Sequence, residues 1–143
     1  MRRNLSPTLK LSRARIEGMD LERIVQKLCR KRLTIQDRAL SRKQAQEAII
    51  QYKRFLWVLR KYRRQYRFLP PSREIDYVWH AHILDTRSYQ RDCRLIFGRF
   101  IHHDPYFGLN GRNDEQSLRR SFHLTQKLYE REHGEPIYAI FDL

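Results

Sequence analysis

Residues 41–66 read SRKQAQEAIIQYKRFLWVLRKYRRQY. Apolar side chains recur there every three or four residues, at Ala45, Ala48, Ile49, Tyr52, Leu56, Leu59 and Tyr62. Because an α-helix turns once in 3.6 residues, this spacing lines one side of a helix with a broad apolar stripe. Ser41 is a favoured N-cap residue, and Pro70-Pro71 cannot continue a helix. The stretch therefore predicts one long helix from Ser41 to about Tyr66, typical of an all-α fold.

The flanking sequence predicts four shorter helices by the same criteria of apolar spacing, caps and breakers. They run from Asp20 to Leu28, from Ser72 to Asp85, from Thr86 to Gly98 and from Asn113 to Gly134. Residues 1–16 contain five basic residues, no acid and Pro7, so we expect a basic N-terminal arm. Residues 137–143 are apolar enough to pack as a short extended strip. We predict a compact bundle of about five helices in one domain, residues 17–143.

The composition narrows the class of protein. Hydrophobic residues make up 41% of the 143 residues and charged residues 32%, which argues against a wholly disordered chain. The longest apolar run, Phe55 to Leu59, is far too short to span a membrane. Cys29 and Cys93 form no C-x-x-C pair, so we expect neither a disulfide framework nor a cysteine-built zinc site. A reducing, cytoplasmic location is the expectation.

Basic residues are concentrated on the long predicted helix. Nine Lys and Arg but only one acid lie between residues 41 and 67, in a chain whose net charge is +14. Helical spacing places one row on a shared side, and this row is the candidate surface for an anionic partner: Lys53, Arg54, Trp57, Arg60, Lys61, Arg64 and Arg67. Nucleic acid, RNA foremost, or an acidic protein surface would suit it, and Trp57, if exposed, could stack on a base. Alternatively the charges form a solvated face and Trp57 lies in the core.

A histidine-rich segment offers a candidate metal site. Asp76 and His80 are four residues apart and so lie on one side of the predicted helix, whereas His82 is turned about 200° away from His80. Residues 99–112 predict a loop that carries His102 and His103. Asp76, His80 and either loop histidine could hold one divalent ion such as zinc and leave a position open for water.

The same residues also permit a purely architectural interpretation. Asp76 would accept a hydrogen bond from His80 or an arginine, His82 would donate to a backbone carbonyl, and Trp79 would fill the core. Cys93 lies in an apolar helical row, next to Asp92, and is a core residue on this interpretation, although a cysteine nucleophile assisted by a loop histidine was the other option.

The segment from Pro70 to Gly108 resembles a known domain. The matching residues are Pro70-Pro71-Ser72, Glu74-Ile75-Asp76, Val78-Trp79-His80, His82-Ile83-Leu84, Tyr89, Asp92-Cys93, Phe97-Gly98, His102-His103 and Pro105-Tyr106-Phe107-Gly108. This pattern resembles the domain of glycine-rich domain-containing proteins and their short bacterial relatives. In the plant members, this domain of unknown function precedes a candidate RNA-binding segment and a glycine-rich tail. The present sequence departs from them, with five glycines, no such tail and no RNP aromatic motif.

The resemblance implies a compact helical module that interacts with RNA or protein, and no catalytic activity. We therefore expect a non-enzymatic binding module that engages nucleic acid or an acidic protein surface through its basic helix. Two alternatives stay open: a metal-dependent, nuclease-like hydrolase that uses the histidine segment, and a structural subunit of a ribonucleoprotein or other large assembly.

Overall fold

A computed structural model describes residues 6–30, 39–104 and 111–141. Within these ranges the chain forms helices and no strand, which confirms the predicted all-α bundle. The helices are α1 (Leu9–Glu17), α2 (Glu22–Leu28), α3 (Arg42–Tyr62), α4 (Arg73–Leu84), α5 (Thr86–Phe97) and α6 (Arg112–His133). The predicted turn residues Pro105 to Asn110 lie outside the described residues, as do residues 1–5 and 142–143.

The long helix α3 lies at the centre and contacts α1, α2, α4 and α6. Its start is fixed by a capping box, in which the Ser41 side chain accepts from the backbone N–H of Gln44 and the Gln44 side chain accepts from that of Ser41. Tyr52, Phe55 and Val58 are fully buried on its apolar side. The helix ends at Tyr62, four residues earlier than predicted.

The predicted basic arm is wrong for its last part, because residues 9–17 form α1. Pro7 precedes the Thr8 N-cap and so does not interrupt the helix. α1 packs on α3 and α5, and the buried Ser12 hydroxyl donates to the carbonyl of Ile96. Leu9 and Leu11 are exposed, so the side that α1 buries is not marked by a clear apolar stripe. That is why the spacing of apolar residues did not predict it.

The other helix starts agree with the sequence to within two residues. Ser72 caps α4 as predicted, its side chain accepting from the N–H of Ile75. Asp20, the predicted cap of α2, accepts instead from Glu22, the first residue of that helix. Thr86 is the first residue of α5 rather than its cap. α6 begins at Arg112, one residue before the predicted cap Asn113.

The C-terminal residues form the expected extended strip. Ile137 and Phe141 are buried, and the Gln126 side chain bonds both the N–H and the carbonyl of Ile137. Cys29 and Cys93 are both free, as predicted. Among the described residues, no helix has the length and apolar character that a membrane crossing requires.

Candidate metal centre

Asp76, His80 and His103 form a cluster between α4 and the segment that follows α5. Each offers one ligand atom, and these atoms all lie within 4.8 Å of one another. His103 Nε2 donates to Asp76 Oδ1 at 2.5 Å, and His80 Nε2 lies 3.5 Å from the same oxygen. The i, i+4 spacing thus brings Asp76 and His80 together, as the sequence predicted. The His80 side chain is 51% exposed, so the cluster opens to solvent.

A hydrogen-bonded chain holds the loop histidine in place. The ring of His103 stacks on Trp79, with ring centroids 4.2 Å apart and planes 14° from parallel. Trp79 Nε1 donates to the Tyr89 hydroxyl at 3.0 Å, and that hydroxyl donates to the carbonyl of Ile101. Burial raises the pKa of Tyr89, so its hydroxyl keeps the proton that it donates. Tyr89 therefore fixes the backbone two residues before His103.

The sequence left open which loop histidine completes the cluster, and the structure places His103 there. His102 is exposed and its ring contacts Phe100 edge to face at 4.9 Å. It lines the same cleft but is absent from the cluster.

The cluster fits a transition-metal ion better than magnesium or calcium. Two imidazole nitrogens and one carboxylate oxygen are ligands that zinc and iron accept, whereas magnesium and calcium prefer oxygen alone. Ligands at about 2.1 Å in a tetrahedral set lie roughly 3.4 Å apart. The His80 to Asp76 separation already has that value, and the His103 to Asp76 contact would have to open by about 1 Å. Three ligands leave at least one coordination position open.

The cluster lies on the wall of a cleft of about 460 Å³. Three arginines line it, namely Arg63, Arg67 and Arg73, together with two acids, Asp76 and Asp104. Tyr66 and Leu69 contribute to the remaining wall. The cleft therefore combines a candidate metal site with a surplus of positive charge.

His82 lies on the opposite side of α4 and is 1% exposed. Its predicted orientation away from His80 is confirmed, but the predicted backbone partner is wrong. Tyr52 donates its hydroxyl proton to His82 Nδ1 at 2.6 Å, since burial raises the pKa of that tyrosine well above its usual value. His82 Nε2 then donates to Asp92 Oδ2 at 2.8 Å. Both ring nitrogens are thus satisfied inside the protein.

Cys93 is buried in the core, and burial raises the pKa of its thiol. A protonated, inaccessible thiol is a poor nucleophile, so the architectural interpretation of Cys93 is the one that the structure supports. Trp79 is buried as that interpretation expected, and it also contacts the cluster.

Much of the predicted basic row is engaged within the protein. Trp57 is only 7% exposed, so the stacking surface it could have offered is absent. Its Nε1 donates to Glu132, which also accepts from Lys61 and Tyr62. Burial alone would raise the pKa of Glu132, but these hydrogen bonds outweigh it and hold the pKa at about 2.

Other members of the row are paired too. Arg54 binds Glu135 at 2.6 Å, Lys53 donates to two backbone carbonyls, and Arg60 donates to Ser12 and to the carbonyl of Pro7. Arg64 and Arg67 are exposed and form no ion pair with the described part of the chain. The expected solvent-facing row is therefore reduced to its C-terminal end.

Sequence reasoning did not single out Arg63, Arg73 or Tyr89 as parts of this site. Tyr89 appeared only as a member of the family pattern, and Arg73 follows the Ser72 cap within that pattern. Arg63 lies just beyond the end of α3, and its position carries no distinguishing spacing.

Comparison with known proteins agrees with the resemblance seen in the sequence. Glycine-rich domain-containing protein 1 of Arabidopsis thaliana is 31% identical over 91 residues, which is 62% of this chain and 11% of that protein. Glycine-rich domain-containing protein 2 of the same plant is 36% identical over 61 residues, 41% of this chain and 8% of that protein. The chain thus matches about a tenth of the length of these relatives.

No solved structure shows significant similarity to the chain. A family model described as UCP032817-like matches residues 15–136, which include all of α2 to α6 and every residue of the cluster. The chain therefore belongs to the UCP032817-like family and is related to the glycine-rich domain-containing proteins.

Proposed function

We propose that this domain is a metal-dependent hydrolase that holds one divalent transition-metal ion, such as zinc, through Asp76, His80 and His103. The observation that carries the proposal is the convergence of these three ligand atoms within 4.8 Å on the wall of an open cleft. A metal with three protein ligands keeps a position for water, and bound zinc lowers the pKa of that water to about 7. The reaction class that such a site supports is metal-assisted hydrolysis of a substrate lodged in the cleft.

Elemental analysis and activity assays of protein prepared without a histidine tag test this proposal. We expect about one equivalent of zinc or iron, lost in His80→Ala and in Asp76→Asn. The matched control is His123→Ala, because His123 is an exposed histidine on α6, away from the cleft. Metal that is absent from the unaltered protein, or retained in both cluster variants, would rule the site out.

A second candidate is the non-enzymatic module that engages nucleic acid, RNA foremost, or an acidic protein surface. It is favoured by the net charge of +14 and by the two unpaired arginines at the end of the α3 row, Arg64 and Arg67. Replacing both with Glu and measuring RNA affinity at two salt concentrations tests it, because phosphate contacts weaken with salt. Unchanged affinity would remove this candidate. A role as a structural subunit of a ribonucleoprotein and a cytoplasmic location stay predictions.

A further inference from the structure

Arg63 is a half-buried cation with an incomplete set of partners. It lies directly after α3, on the wall of the cleft, and its guanidinium is 5.9 Å from the centre of the Phe97 ring. Its Nη1 is buried and has no hydrogen-bond acceptor. A buried charged donor without an acceptor costs free energy, because the hydration it loses is not replaced. An arginine in this position is therefore a candidate for pairing with an external anion.

The surroundings of Arg63 strengthen the case. Burial lowers the pKa of its guanidinium, and the nearby Arg99 and Arg60 lower it further. No ion pair joins Arg63 to a carboxylate in the described ranges. On the same wall, Arg67 and Arg73 are exposed and add charge of the same sign.

The two acids that line the cleft do not supply the missing counter-charge. Asp76 is engaged by His103 and His80, and Asp104 makes an interaction of its own. The basic wall of the cleft is thus left with a positive charge that a bound anion would neutralise.

We infer that the cleft binds a small oxyanion-bearing ligand whose phosphate or carboxylate group pairs with Arg63, while Asp76, His80 and His103 face the rest of that ligand. Guanidinium and oxyanion match in geometry, because two parallel N–H groups can donate to two oxygens. A volume of about 460 Å³ is typical of a site for a small molecule and cannot enclose a folded RNA. The role of the metal end rests on the proposed function, whereas the role of Arg63 does not.

The test is an NMR titration of the full chain with inorganic phosphate and, separately, with acetate, each with and without one equivalent of zinc. Arg63→Gln is compared with Arg64→Gln, which removes the same charge from the adjacent residue but outside the cleft. We expect Arg63→Gln to weaken binding of the preferred anion about tenfold or more, as the loss of a charge-assisted hydrogen bond requires. Arg64→Gln should change the affinity by less than about twofold, since an exposed charge outside the site is screened.

The two probes and the zinc arms separate the outcomes. Stronger binding of phosphate than of acetate assigns a phosphate ester, and the reverse assigns a carboxylate. Equal weakening in the two variants, or no saturable binding of either anion, would overturn the inference. Binding that depends on Arg63 but is the same in Asp76→Asn, with and without zinc, would keep the anion site and reject the metal proposal. Arg63→Lys, which retains the charge, and zinc uptake by Arg63→Gln show that the fold is intact.

Discussion

Helix α4 carries two imidazoles, two residues apart, that end in opposite environments. His82 is enclosed, with Tyr52 bonded to one nitrogen and Asp92 to the other. His80 is half exposed and shares one carboxylate oxygen with His103 on the wall of a cleft. Both regions are built from His and Asp, so residue type alone does not separate architecture from a site. What separates them is whether every polar atom has its partner inside the protein.

The largest expected effect is on stability. His82→Ala removes both hydrogen bonds of the enclosed region and leaves Tyr52 and Asp92 buried without their partner, so we expect a loss of about 3–5 kcal/mol. His80→Ala, the matched change on the open side, should cost less than about 1 kcal/mol. Urea unfolding of the two variants measures the difference. Comparable losses would erase the distinction between the two regions.

The next effect is stabilisation by zinc. A ligand that binds only the folded state at a hundredfold excess over its Kd adds about 2.7 kcal/mol to the free energy of unfolding. We expect this gain for the unaltered protein and for His123→Ala, and its loss in His80→Ala. Denaturant unfolding with and without zinc measures it. A gain that survives in His80→Ala would place the zinc elsewhere.

A third test asks whether enclosed carboxylates hold the acid side of the stability curve. Glu132 accepts hydrogen bonds from Trp57, Lys61 and Tyr62, and its pKa in the folded protein is about 2, against 4.5 for the free side chain. Its contribution to stability is therefore present above pH 4.5 and is lost as the pH falls towards 2. Glu132→Gln should cost about 2 kcal/mol at neutral pH and flatten that acid decline.

Thermal or urea unfolding between pH 2 and pH 7 measures the Glu132 effect. The matched control is Glu115→Gln, because Glu115 pairs with Arg119 on the exposed surface of α6. An exposed helix pair contributes little, so this control should keep the acid decline of the unaltered protein. An acid decline that is identical in Glu132→Gln would contradict the assignment.

Local sequence rules predicted those parts of the fold and site that depend on neighbours along the chain. Ser41 and Ser72 are caps with their donors three residues away, and Asp76 and His80 are one helical turn apart. The choice of His103 over His102 depends on a ring in another element, Trp79, and could not be read from spacing.

The basic row failed for the same reason. Helical spacing placed Trp57 and Lys61 on one side of α3, but Glu132, the residue that pairs with both, is more than 70 positions further along the chain. A long-range partner turns a row that could have faced solvent into part of an interface between helices. The exposed end of the row, Arg64 and Arg67, is what remains of the prediction.

The smallest expected effect concerns Tyr89, which connects the two regions. Its ring contacts His82 edge to face at 5.0 Å, and its hydroxyl links Trp79 to the backbone that carries His103. Tyr89→Phe keeps the ring and removes the hydroxyl, which leaves the Trp79 N–H and the Ile101 carbonyl without their partner. We expect a loss of about 1–2 kcal/mol of stability. Zinc affinity should fall about tenfold, because groups that orient a metal ligand tune its affinity.

The control for Tyr89 is Tyr138→Phe, the same change at an exposed tyrosine of the C-terminal strip. Competition with a chelator of known zinc affinity measures the metal effect, and urea unfolding measures stability. If Tyr89→Phe lowers stability but leaves zinc affinity unchanged, stacking on Trp79 alone orients His103. Tyr89 would then belong wholly to the enclosed region, and the two sides of α4 would be independent.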